Sequence, residues 1–212
     1  MVQQFDSFAM SVLNILCKAP VTGLVKTRLA ADLGEQAALG IYKQLLKTVF
    51  RRLQPWSGGA VQVHVTPWSE KDLMEEYICP NWSLHPQSDG HLGQRMASIT
   101  RTGFEQGNEK VLIIGADCPD INCNDLDDAL KILDTHPMVF GPSSDGGYWL
   151  IGLRQVPSWQ SVFENISWST DQVLSQSLVR VIELGLGAPG LLKIKSDLDT
   201  RDDWDMLKDR LD

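Results

Sequence analysis

The chain has 212 residues, 43% of them hydrophobic and 22% charged, which is an ordinary length for one domain with enough apolar material for a full core. Its formal net charge of −8 argues against nucleic acid or an anionic membrane as the main partner, so phosphate could be held only by a local basic cluster or a metal. Four cysteines, Cys17, Cys79, Cys118 and Cys123, lack zinc-type spacing and read as reduced thiols of a cytoplasmic protein.

No run approaches the length of a membrane span, so membrane insertion is not expected, and the N-terminus lacks the basic-then-apolar pattern of a signal peptide. Residues 1–10 read as a flexible leader and 11–212 as a single domain. Ser11 to Cys17 reads as the first strand. It runs into Lys18 to Leu29, a loop with three cations, a Gly, a Pro and no acid. A helix is predicted from about Glu35 to Gln54, because Ala38, Ile41, Leu45, Val49 and Leu53 repeat at three and four. Ala60 to Val65 alternates with period two and reads as a strand. A short helix near Glu70 to Tyr77 and a strand from Trp82 to His85 follow. Gln87 to Met96 reads as a glycine-bearing turn that opens a helix running to about Glu105.

The central strand is Val111 to Ile114. Its apolar, mostly β-branched residues suit a strand buried on both faces. Helix Asp125–Leu133, strand Met138–Gly141, turn Gly141–Tyr148 and strand Tyr148–Leu153 come next. Ser169 with Gln172 suggests a capping box opening a helix to about Leu184. A last strand from Leu191 to Lys195 leads to Thr200, which reads as the cap of a final helix with Asp203 three residues on. Strand and helix alternate almost throughout, so the fold class is α/β, with a mostly parallel sheet covered on both faces.

In open α/β sheets ligands bind beyond the carboxyl ends of the strands. Asp117 and Asp120 stand there after the central strand, and Asp197 and Asp199 after the last one. Carboxylate oxygens suit Mg²⁺ or Mn²⁺, which commonly take one or two of them plus substrate phosphates. Capping of the following helices is the other reading, and for Asp120 the two stand level. Lys18, Lys26 and Arg28 with Gly23 and Thr27 suit phosphate, although the loop is neither a Walker A nor a Gly-x-Gly-x-x-Gly motif. Asp145-Gly146-Gly147-Tyr148 would let a substrate approach the backbone while the carboxylate accepts its hydroxyls. Taken alone it reads as a plain turn. The four histidines show no ligand spacing and read as structural or exposed.

Lys18-x-Pro20-x-x-Gly23-x-x-Lys26-Thr27-Arg28-Leu29, Gly115-x-Asp117-x-Pro119, Gly141-Pro142-x-x-Asp145-Gly146-Gly147-Tyr148, Trp168-Ser169-Thr170 and Asp197-x-Asp199-Thr200 occur in that order. Together they resemble DUF2064, or the selenodomain-associated transferase 1 group, a bacterial family labelled as glycosyltransferases. The Lys-Thr-Arg-Leu loop is also similar to that of 2-phospholactate guanylyltransferases. The resemblance implies a single-domain, Rossmann-like GT-A fold of the nucleotide-diphospho-sugar transferase superfamily. It implies a transferase dependent on Mg²⁺ or Mn²⁺, with a nucleotide sugar as donor and an unknown acceptor.

On that reading Asp117 and Asp199 hold the metal, and Lys18, Gly23, Lys26, Thr27 and Arg28 bind phosphate. Gln87, Gly93 and Arg95 line the base or ribose, while Asp145, Gly146, Gly147, Tyr148 and Trp168 form the acceptor side. Asp117, Asp145 and Lys26 are the candidate catalytic residues. Nucleotidyl transfer from a nucleoside triphosphate and a non-catalytic nucleotide-binding module are the alternatives. The sequence departs from better-known relatives in lacking their Gly-x-Gly loop ending Arg-Met, and in having Asp117-Cys118-Pro119-Asp120 where many have Asp-x-Asp.

Overall fold

The computed structural model describes residues 11–211. The expected leader at residues 1–10 lies outside the described residues. β1 (Ser11–Lys18), β2 (Ala60–Thr66), β3 (Ser83–Pro86), β4 (Lys110–Gly115), β5 (Met138–Pro142), β6 (Tyr148–Arg154) and β7 (Gly190–Leu191) form one seven-stranded sheet in the order β3-β2-β1-β4-β6-β5-β7. Every neighbouring pair is parallel except β4–β6 and β5–β6, because β6 runs the opposite way. The carboxyl ends of β1, β2, β4 and β5 therefore share one edge.

The period-two alternation of side chains sorts the core onto two faces. Leu13, Ile15, Leu112 and Ile114 point to the face covered by α1 (Thr27–Leu33), α2 (Glu35–Leu53), α4 (Cys123–Leu133) and α6 (Arg201–Leu207). Val12, Val111 and Ile113 point to the face covered by α3 (Leu92–Glu105), α5 (Val173–Glu183) and a 3₁₀ turn at Trp159–Phe163. β4 sits in the middle with Val111, Leu112, Ile113 and Ile114 all buried, which explains its unbroken apolar run. Among the described residues no helix is long and apolar enough to cross a membrane.

Four local expectations need correction. The loop expected from Lys18 to Leu29 contains the start of a helix, since α1 begins at Thr27 and ends at Gly34, whose φ of 83° suits only a residue without Cβ. The strand expected at Leu191–Lys195 shrinks to Gly190–Leu191 plus a single bridge between Ser143 and Lys195. Ser169 does not cap α5. It has a φ of 64°, Gln172 holds the N-cap position without a side-chain cap, and Thr170 Oγ1 accepts the Gln172 amide instead. Asp120 caps nothing, because Asn122 caps α4 in a box with Asp125, while Asp120 pairs with Arg210 and, at 3.9 Å, with Arg52. Thr200 does cap α6, in a box with Asp203.

Candidate active site

Three segments converge at the carboxyl edge of the sheet. Asp117 follows β4, whose exit is tied to β1 by the Ala116 amide donating to the Leu16 carbonyl at 3.2 Å. The Leu198 amide donates to the Asp117 carbonyl at 2.9 Å and lays Asp197 and Asp199 alongside. Lys26 enters from the loop after β1, immediately before α1, in a left-handed conformation (φ 46°, ψ 46°) that non-glycine residues seldom adopt. Its ammonium is buried and donates to Asp117 Oδ1 and, at 2.8 Å, to Asp199 Oδ1. Burial opposes its charge, but Asp117 and Asp199 together outweigh that and hold its pKa above the ordinary lysine value.

Around this centre the carboxylates outnumber the ammonium. Burial, followed by the charges of Asp117, Asp199 and Asp145, pushes Asp197 up to about 7. Ser143 Oγ donates to its Oδ2 at 3.3 Å. A surplus of hard oxygen donors is the setting a divalent cation suits. Cys17 nearby is no competing soft ligand, because burial and then Asp117 keep its thiol protonated. Among the described residues no three His, Cys, Asp or Glu side chains are grouped to hold a metal by themselves. Asp117 and Asp199, each side chain nearly half exposed, are the two carboxylates that would be open to a divalent cation here, with its other ligands coming from substrate phosphates.

Asp117 stands at the seam between two cavities. The smaller, about 340 Å³, is lined by Lys18, Lys26, Thr27, Arg28, Gln87 and Arg95 among others, with Asp117 and Asp199 at one end. Lys18 Nζ donates to the Leu24 carbonyl at 3.0 Å. Gln87 Nε2 donates to the carbonyls of Cys17 and His64, clamping β1 to β2, and Arg95 donates to Gln87 Oε1 at 3.1 Å. The larger cavity, about 530 Å³, is lined by Asp145, Gly147, Tyr148, Trp168, Asp171 and Asp197 over an apolar floor, and Arg28 borders both. Both volumes fall in the range of roughly 300–1,000 Å³ usual for small-molecule sites.

Most of the residues read from the sequence thus come together, with three exceptions. Gly23 turns the loop at φ 78° and lies against the Glu35 carboxylate rather than the cavity. Gly93 and Gly146 line neither cavity. A Cβ on Gly93 would fall 2.4 Å from the Trp168 ring, and one on Gly146 would fall 2.1 Å from the Asp171 carbonyl oxygen. They let the walls close. Sequence reasoning missed Tyr42, whose hydroxyl accepts from the Lys18 amide and donates to the Lys18 carbonyl, and whose ring lies 5.8 Å from Lys26 Nζ. It sits on the apolar stripe of α2, which reads as core. Asp171, which falls between Ser169 and Gln172 of the expected capping box, also lines the larger cavity.

A profile of the family described as uncharacterized protein conserved in bacteria, DUF2064, matches residues 48–170. The chain belongs to this family. Lys26, Asp197 and Asp199 lie outside the matched stretch, so their placement beside Asp117 is a finding of the structure. No curated protein matches the chain. Among solved structures, a protein from Desulfovibrio desulfuricans G20 described as a "putative nucleotide-diphospho-sugar transferase" is 27% identical, with a TM-score of 0.86 over 93% of this chain and 85% of that one. CMP:2-keto-3-deoxy-manno-octonic acid synthetase complexed with CTP is 12% identical with a TM-score of 0.57, covering 95% of this chain and 97% of that one. Rv0371c of Mycobacterium tuberculosis H37Rv, in complex with manganese, is 10% identical with a TM-score of 0.54, covering 93% and 97%. The fold is that of the nucleotide-diphospho-sugar transferases and cytidylyltransferases.

Proposed function

We propose that this protein is a divalent-metal-dependent transferase that uses a nucleotide-diphospho-sugar as donor. It is an enzyme of the glycosyl- or nucleotidyltransferase kind, and the finer reading rests on one observation. Asp117, paired to the buried Lys26, lines both a cationic cavity and a second cavity of opposite character. Such a seam is where a bond between a phosphate-bearing donor and an acceptor would be exchanged.

In this reading Lys18, Lys26 and Arg28 neutralise the diphosphate, and Gln87 and Arg95 line the nucleoside. Asp117 and Asp199 would hold Mg²⁺ or Mn²⁺, which when bound supplies charge neutralisation of the departing diphosphate. The acceptor's O–H attacks the sugar's anomeric carbon, the bond from that carbon to the diphosphate oxygen breaks, and the nucleoside diphosphate leaves. Asp145 takes the proton. Its Oδ1 accepts the Gly147 amide at 2.9 Å, which fixes the carboxylate at the mouth of the larger cavity. Positioning and electrostatics then carry most of the rate. The free cysteines, Cys17, Cys79, Cys118 and Cys123, support a cytoplasmic setting.

The smaller cavity's four cations, Lys18, Lys26, Arg28 and Arg95, would suit a triphosphate as well, so nucleotidyl transfer with release of pyrophosphate is the second reading. Thermal unfolding against UDP, GDP, UDP-glucose, GDP-mannose, GTP, CTP and UTP, with and without Mg²⁺ or Mn²⁺, tests both. A ligand at 100 times its Kd stabilises by about 2.7 kcal/mol, which is roughly 2–4 °C for each kcal/mol in a domain of this size. A metal-dependent shift that is larger for a sugar nucleotide supports glycosyl transfer, and one larger for a triphosphate supports nucleotidyl transfer. No shift with any of them overturns the assignment.

A further inference from the structure

The two cavities differ in the sign of the charge they present. Around the larger one stand Asp117, Asp145, Asp171 and Asp197, against the single cation Arg28 that it shares with the smaller. Asp117 is matched by Lys26, so the exposed carboxylates Asp145 and Asp171 set the sign. The floor below them is apolar, made by Met96, Ile113, Ile151 and Val173. Two aromatic rings, Tyr148 and Trp168, form walls.

These walls are built into the fold. The Trp168 indole lies so close over the start of α3 that only glycine fits at position 93, and the His91 ring stacks on it at 6.2 Å and 24°. Asp171 is fixed by a similar approach, its carbonyl resting on Gly146 while the Leu174 amide donates to the Gly146 carbonyl at 2.9 Å. The cavity thus presents an apolar and aromatic body site beneath a carboxylate rim. Aromatic faces attract cations, and the rim accepts hydrogen bonds from O–H and N–H donors while its negative charge disfavours anions.

We infer that the larger cavity takes an acceptor with a ring or short alkyl body and an uncharged or cationic head bearing hydroxyl or amine, and that it rejects acceptors bearing carboxylate or phosphate. The word acceptor rests on the function proposed above, whereas the binding preference depends on this cavity alone.

Calorimetric titration of the full chain with 3-phenylpropylamine, 3-phenylpropanol and 3-phenylpropanoate tests this, since the three share one body and differ only in the head. The amine and the alcohol should each bind at least about tenfold more tightly than the carboxylate. Asp145→Asn with Asp171→Asn should narrow that ratio, a change that loss of packing alone would not produce. Trp168→Ala should weaken the amine and the alcohol together. Carboxylate binding as tight as the other two, no binding by any of the three, or a ratio unmoved by the double variant overturns the inference. Running the nucleotide titrations in parallel separates the two ideas. Nucleotide binding with the wrong head preference sinks only the acceptor class, and the right preference without nucleotide binding sinks only the transferase.

Discussion

The two cavities divide the chain between them. The walls of the smaller come largely from residues before 100, on the loop after β1, α2, the ends of β1 and β2, and the start of α3. The larger is built mostly after residue 110, from β4, β6 and the segments before β6 and α5. One is cationic and held by hydrogen bonds to strand ends. The other is apolar with an acidic rim, and its shape depends on close backbone approaches at two glycines. On the proposed function, phosphate and acceptor are recognised by largely separate walls, and only Leu16, Arg28, Leu92 and Asp117 line both cavities.

Lys26→Met, which strips the shared Asp117 of its partner, should do the most damage. It leaves Asp117 and Asp199 unopposed and should lower turnover by about 10²–10³-fold, the scale seen when one stabilising donor is removed, read as kcat in a transferase assay. The next largest effect should fall on the second cavity alone. Gly146→Ala forces a Cβ toward the Asp171 carbonyl at a φ of 88° and should cost about 1–3 kcal/mol of stability. It should also raise the acceptor KM while leaving the nucleotide Kd near that of the parent. Equal changes in both constants would break the independence of the cavities.

The β1–β2 pairing beside the first cavity should be sensitive to pH. Burial, and then the neighbouring His85, lower His64 to about 4 from its usual 6.5, and its ring bonds Asn14 at 2.9 Å. Below pH 6.5 the unfolded chain takes a proton that folded His64 refuses until about pH 4, so the stability it supports is present above 6.5 and is lost as pH falls through that window. Urea unfolding should show a loss of about 2 kcal/mol between pH 7 and pH 5 that a His64→Gln variant lacks. Tyr42→Phe, which removes both bonds to Lys18, should cost about 1 kcal/mol of stability and modestly weaken nucleotide binding in calorimetry. Asp120→Asn should have the smallest effect. Its half-exposed pairing with Arg210 is worth about 1 kcal/mol at most, and kcat should not change.

Much of the fold was legible because its signals are local. The unbroken run at Val111–Ile114, the spacing along α2 and the Thr200–Asp203 capping box each state their structure within one short window. What stayed hidden depends on contacts across the chain. α1 was missed because its N-cap, Lys26, is no capping residue and commits its side chain to Asp117 and Asp199, 91 and 173 residues away. The brevity of β7 comes from pairing that only Val139 and Phe140 offer it. The candidate site was legible as residue types, since cations and carboxylates with no structural errand stand out in sequence. The true tasks of Gly93 and Gly146, and the part played by Tyr42, follow from packing that no spacing rule encodes.

The left-handed backbone at Lys26 carries a last consequence. An L-residue there costs about 1–2 kcal/mol that glycine would not, and its side chain gives α1 no cap in return. A library randomised at this position and selected only for folding should drift toward glycine or asparagine, while one selected for turnover should return to lysine. The gap between the two outcomes would measure how far this one position has been held away from its conformational optimum by chemistry.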